Sequence, residues 1–189
     1  MKPLVPALAA IGLLAISASA VAAPAPAWVV DKPGSSVRFT SAFNGTAFSG
    51  GFSRWDADIR FDPANLTGSQ VTATIDMASV STADSDRDQS LPTPTFFNVA
   101  KFPHAIFAAH AFTSQGGGHF QAIGTLTLRG VTKPLTVPFT LAVTGPKARM
   151  SANLSINRLA FGVGQDEWSK PTAVPAAVTV TVVLNAHRK

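Results

Sequence analysis

The chain has 189 residues, a formal net charge of +5 and no cysteine, which excludes a disulfide framework and a lipid anchor on a cysteine thiol. Its basic residues are scattered singly, at Arg38, Arg54, Arg60, Lys101, Arg129, Lys133, Lys147, Arg158 and Lys170 among others, so no basic stripe with interleaved aromatics marks a nucleic-acid surface. The charge is read first as a source of solubility and second as a weak, transient attraction to an anionic membrane surface.

Lys2 opens the chain, a mostly apolar run follows from Leu4 to Ile16, and small residues then fill Ala18 to Ala23. That order of a positive start, a greasy run and a small-residue stretch predicts a secretory leader. The apolar run is shorter than the roughly 20 residues that span a bilayer. Residues 1–23 are therefore read as a signal peptide and 24–189 as one exported, periplasmic domain that is soluble and not lipid-anchored.

Strands are predicted from Ser36 to Phe43 and from Phe48 to Phe61, joined by the turn pair Asn44-Gly45 and ended by Asp62-Pro63. Val71, Ala73 and Ile75 then alternate with polar residues, the two-residue period of a half-buried strand. From Ser81 to Pro103 the alternation stops. Asp84 to Leu91 has the start signals of a helix of one or two turns, Pro92 and Pro94 end it, and Phe96, Phe97, Val99 and Phe102 follow. Such an insert must bury its rings, and covering a barrel mouth is the simplest way.

Alternation resumes from Ala105 to Thr113 and from Phe120 to Leu128, either side of Gly116-Gly117-Gly118. It continues after Arg129-Gly130 through Val137, Phe139, Leu141 and Val143, and after Gly145-Pro146 through Met150, Ala152, Leu154 and Ile156. Val178, Val180, Val182 and Leu184 form the last run. The fold class is all-β: a closed, eight-stranded antiparallel barrel with a short helical, Phe-rich insert, because antiparallel strands that curl must remove their edges. At eight strands the interior is either filled by side chains or holds one small ligand. The chain has 13 Phe and no Tyr, so a hollow, if present, would be dry and suited to an acyl or prenyl chain. Periodicity alone leaves both interiors open.

The motifs for chemistry fail one by one. Asp84, Asp86 and Asp88 imitate a calcium loop, but Gln89 stands where Gly is needed and Thr95 where Glu is needed. The four histidines, His104, His110, His119 and His187, lack metal-ligand spacing, although His104 and His110 could share a strand face. No Gly-x-Ser-x-Gly elbow occurs, and Gly162-Val163-Gly164 lacks the third glycine of a dinucleotide turn. No catalytic set, metal or cofactor is assigned.

Four segments together resemble the YceI family of bacterial exported proteins. They are Trp28-Val29-Val30-Asp31 leading into Ser35-Ser36-Val37-Arg38-Phe39; Arg87-Asp88 with Leu91 and Phe96 to Pro103; Gly124 to Pro134; and Asn157 to Gly164. The resemblance covers the whole chain from Trp28 onward. It implies a lipocalin-like barrel whose hydrophobic tunnel accommodates an isoprenoid lipid, a prenyl quinone or prenyl phosphate; the chain itself is expected as a monomer or homodimer. Phe39, Phe52, Ile75, Phe107, Leu126, Phe139 and Phe161 are expected as wall, and Phe96, Phe97 and Trp168 near an opening. Arg129, Lys133 or Lys170 could meet a phosphate. The alternatives are a non-catalytic periplasmic protein supporting a membrane redox partner, and a lipid-modifying isomerase or hydrolase, which needs a buried acid or base.

Overall fold

A computed structural model of the protein describes residues 24–189; the expected leader, residues 1–23, lies outside the described residues. The strands are β1 Ala27–Phe43, β2 Thr46–Phe52, β3 Trp55–Arg60, β4 Gln70–Asp76, β5 Val80–Ser81, β6 His104–Gly116, β7 His119–Leu128, β8 Val131–Thr144, β9 Lys147–Asn157 and β10 Ala177–Arg188. They form one sheet in the order β10-β9-β8-β7-β6-β4-β3-β1, and β1 pairs back onto β10. That return closes a barrel of eight antiparallel strands. The two extra strands, β2 and β5, extend the wall beside β1.

The stretch expected as one strand from Phe48 to Phe61 is two. At Ser53 and Arg54 the backbone leaves the ladder: Ser53 N–H donates to Ser79 O at 3.2 Å, and Arg54 N–H donates to Ser79 Oγ at 3.0 Å. The long β1 thus has two successive neighbours, β3 at Ala27 and Trp28 and β2 from Val37 to Phe43. Between them β1 bulges. Residues 32–35 loop out between the pairs Asp31↔Asn185 and Ser36↔Val183. Ser35 Oγ donates to Asp31 O at 2.6 Å and accepts from Asn185 N–H at 2.8 Å, so the bulge keeps its polar groups paired.

Turn chemistry matches the local sequence. Asn44 and Gly45 both take positive φ, as do Arg129 and Gly130, the requirement of two-residue hairpins that follow the strand twist. Helix α1 spans Ser85–Ser90, and its N-cap Asp84 accepts from Arg87 N–H at 3.0 Å.

One end of the barrel is plugged. Phe61 packs against Phe112, Phe120 and Phe139 with ring centroids 5.2, 5.5 and 5.8 Å apart, all edge-on, a favoured aromatic geometry. Trp28 joins this cluster and its indole N–H donates to Phe61 O at 2.9 Å. A second cluster, Leu126, Phe161 and Val163, lies towards the other end, with Phe96, Phe97, Phe107, Leu128, Leu135, Ile156 and Ala160 packed against it.

Candidate functional site: a two-chambered apolar tunnel

Alternation sends every second side chain of the barrel strands inward, and beyond the aromatic plug these side chains leave space between them. No large side chain among the described residues is completely enclosed. A filled barrel would enclose several. Two hollows take up the space. The inner one has a volume of about 210 Å³ and runs from the aromatic plug along Val71, Ala73, Phe107, Val137, Leu154 and Val182. The outer one, about 530 Å³, is bounded by Phe39, Phe43, Phe48, Phe52, Leu128 and Trp168 among others. Together they fall in the roughly 300–1,000 Å³ range of small-molecule sites. Val37, Ile75, Leu126, Ile156 and Val180 line both hollows, so they form a waist at which the chambers meet.

The expected wall residues divide between these places. Phe39 and Phe52 line the outer chamber, their tilted rings 5.7 Å apart. Ile75 and Leu126 sit at the waist, and Phe107 lines the inner chamber. Phe139 borders the inner chamber but stacks on Phe120 at 5.5 Å as part of the plug. Phe161 borders neither hollow; the turn Arg158–Phe161 buries it in the second cluster at 5% exposure. Phe96 and Phe97 of the insert line the outer chamber with Trp168, whose ring lies 5.7 Å from Phe96 and 6.0 Å from Phe43.

The cations expected at a head group lie elsewhere. Lys133 and Lys170 are exposed and border neither hollow. Arg129 Nη2 donates to Pro94 O at 2.7 Å, tying the β7–β8 turn to the insert. The cations that do line the outer chamber are Arg87 and Arg158. Arg87 lies 4.5 Å over the Phe48 ring and pairs with Asp84 at 3.2 Å. Arg158 is 4% exposed and donates to the carbonyls of Pro175, Val163, Trp168 and Val174 at 2.7–2.9 Å. Burial pushes its pKa down. At Gly164 any side-chain carbon would collide with that guanidinium, which is why a glycine at φ +91° stands there. Both arginines fall in the segments that carry the family resemblance; nothing in their spacing marked them as tunnel groups, because the insert and the 158–176 loop bring them there through non-local contacts.

Apart from Asp56 beside the inner chamber, the polar residues gather on the outer one. Asp84, Asp86, Arg87 and Ser90 of the α1 region line it, as does Ser41, whose hydroxyl is buried without a partner. The acids of the calcium-like stretch serve local structure. Asp88 accepts from Thr82 N–H and Thr82 Oγ1, both at 2.7 Å, and from Ser81 Oγ at 2.8 Å. Desolvation works to raise the Asp88 pKa, and the three hydrogen bonds outweigh it, leaving the carboxyl below its ordinary range. Among the described residues no group of three or more His, Asp or Glu is placed to hold a metal.

Comparison with known proteins places this geometry. The YceI-like domain family matches residues 28–186. A UPF0312 protein of Yersinia pestis is 32% identical over 184 residues, 93% of this chain and 91% of its own. The crystal structure of Burkholderia cenocepacia BcnA superposes with a TM-score of 0.80 at 30% identity, over 83% of this chain and 99% of that one. A polyisoprenoid binding domain from Saccharophagus degradans shares the fold, with a TM-score of 0.69 at 16% identity over 87% of this chain and 99% of its own.

Proposed function

Because this chain belongs to the YceI-like domain family, and because its barrel encloses two connected apolar chambers, we propose that it holds the hydrocarbon chain of a long isoprenoid lipid. The tail lies in the inner chamber and the polar end lies beside Ser41, Arg87 and Ser90 of the outer one. The carrying observation is the unfilled lumen. The Saccharophagus degradans neighbour is a polyisoprenoid binding domain, which supports the chemical class of the ligand.

Burying each methylene contributes roughly 0.8 kcal/mol, so twenty carbons contribute about 16 kcal/mol relative to water. That approaches the observed ceiling for non-covalent affinity. A bilayer offers the same tail an equally apolar home, so transfer between membrane and barrel is nearly neutral. Near-neutral exchange is what a carrier of prenyl quinones or prenyl phosphates requires. Selection then falls to tunnel length and to the polar rim.

A lipid-modifying activity would need an acid or base at the lumen. Of the two carboxylates that line the outer chamber, Asp84 has both oxygens committed, Oδ1 to Arg87 N–H and Oδ2 to the Arg87 guanidinium, while Asp86 is exposed to solvent rather than buried in the lumen. No histidine borders either hollow. These features favour holding over chemistry. Export to the periplasm belongs to the same proposal and rests on the composition of residues 1–23; cell fractionation checks it.

Native mass spectrometry of the protein released gently from cells tests the proposal. A co-purifying prenyl lipid in one-to-one ratio is the expected result. A ligand-free protein that also fails to take up geranylgeraniol from phosphatidylcholine vesicles overturns it.

A further inference from the structure

The barrel wall is not equally zipped all round. β8 pairs with β7 along the whole stretch from Val131 to Thr140, and β9 pairs with β10 from Lys147 to Asn157. Between β8 and β9, however, pairing runs only from Thr144↔Lys147 to Phe139↔Ala152. Residues 131–138 of β8 and 153–157 of β9 have no ladder between them. The last clasp is the hydroxyl pair Thr140 Oγ1 and Ser151 Oγ at 2.7 Å.

The cause is written in β8. Successive backbone N–H groups of a strand point to opposite neighbours. Leu141 N–H donates to Gly118 O at 2.8 Å, on the β7 side, so the backbone N–H positions of even-numbered β8 residues point towards β9. Two of them in the unzipped stretch are Pro134 and Pro138. Proline has no N–H to give and is confined to strand edges with that side unpaired. β8 therefore acts as a central strand towards β7 and as an edge strand towards β9.

Continuing the register past Phe139↔Ala152 would set Val137 opposite Leu154 and Leu135 opposite Ile156. All four line the inner chamber, and Ile156 also lines the waist. The parted strands thus form the stretch of wall beside the deep hollow that no backbone ladder closes. Phe161 stands over this place. It is buried in a cluster against which Leu135 and Ile156, one from each side of the parting, are packed. The short turn Arg158–Phe161 that carries it follows directly from β9.

We infer that the parting between β8 and β9 is a lateral portal through which the isoprenoid chain slips sideways into the inner chamber, with Phe161 as its gate. This rests on the isoprenoid-holding function proposed above. A tail entering only by the mouth must thread its whole length past the waist with the other end plugged by Phe61, Phe120 and Phe139. A side opening lets the tail move in along its length, and the prolines keep it from sealing into a continuous sheet. The outward residues beside the parting, Thr132, Thr136, Asn153 and Ser155, are polar and exposed, so the apolar faces appear only when the gate moves.

The chain has no native cysteine, so T136C/S155C provides one attachment point on each lip, both on the outer face. The double variant is stapled with a short bifunctional thiol reagent, with a one-armed reagent as control. Radiolabelled geranylgeraniol in phosphatidylcholine vesicles is the probe. Stapling is expected to slow uptake by about tenfold while leaving equilibrium loading unchanged; the one-armed adduct loads as the parent does. F161A, unstapled, is expected to load faster than the parent to the same final level. Equal rates for stapled and control protein overturn the portal alone. No loading in any form overturns the holding function, and the portal with it.

Discussion

Ile75 and Arg158 illustrate two kinds of residue around the same hollow. Ile75 faces the waist and is only half-buried because empty space lies in front of it. Ile75→Trp is therefore expected to leave the fold intact while filling the waist, and to reduce geranylgeraniol binding by about tenfold, measured by uptake from vesicles. Arg158 is the opposite case. Four carbonyls of the 163–175 loop beside the outer chamber are satisfied by this one side chain. Arg158→Met leaves them bare in a buried place, a loss of roughly 3 kcal/mol, and thermal denaturation should show Tm lower by roughly 6–12 °C. Arg158→Lys recovers only part of this, since an ammonium cannot match the planar fork.

At the scale of elements, the insert is held to the barrel by small polar contacts. Asp88 fastens the start of α1 to Ser81 and Thr82, while Asp76 is held below its ordinary pKa by the Arg54 guanidinium at 2.7 Å and by Ala78 N–H. Both carboxyls titrate lower in the folded chain than in the unfolded one. Their stabilisation is thus fully present above the unfolded carboxylate pKa of about 3.9 and is lost as pH falls through the lower folded values. Denaturation midpoints should be level from neutral pH down to about 5 and begin to fall below about 4. Asp88→Asn removes one part of that acid sensitivity, and amide exchange in residues 82–91 should quicken in the variant at neutral pH. The Phe-rich insert, expected over a barrel mouth, supplies Phe96 and Phe97 to the outer chamber wall.

At the scale of the whole molecule, a barrel with an unfilled lumen gives up packing that a filled one would have. A tail that fills the lumen restores it and binds only the folded chain. By mass action, ligand at about a hundred times its Kd adds about 2.7 kcal/mol. The loaded protein should therefore melt roughly 5–11 °C above the delipidated one, and scanning calorimetry of the two forms decides this. Equal melting points would mean that the hollows collapse or stay empty when lipid is offered.

Period-two alternation, hairpin turns and one N-cap were enough to read the eight-stranded antiparallel barrel and its insert, because each depends on residues close in the chain: Asn44-Gly45 bends where it stands, and Asp84 caps its own helix. The split at Ser53 was not legible, since the partner that draws the backbone away is Ser79, far along the chain. The same holds for the division of the phenylalanines. Phe52, Phe139 and Phe161 all suit an inward position, yet one lines the outer chamber, one stacks in the plug and one packs under a turn. Alternation states which face a side chain takes; it does not state whether it reaches a partner across the lumen. That depends on the cross-section set by strand number and stagger together, and on Pro134 and Pro138 meeting β9 at the stretch they leave unzipped. Sequence determined the wall, and tertiary structure decided the hollow.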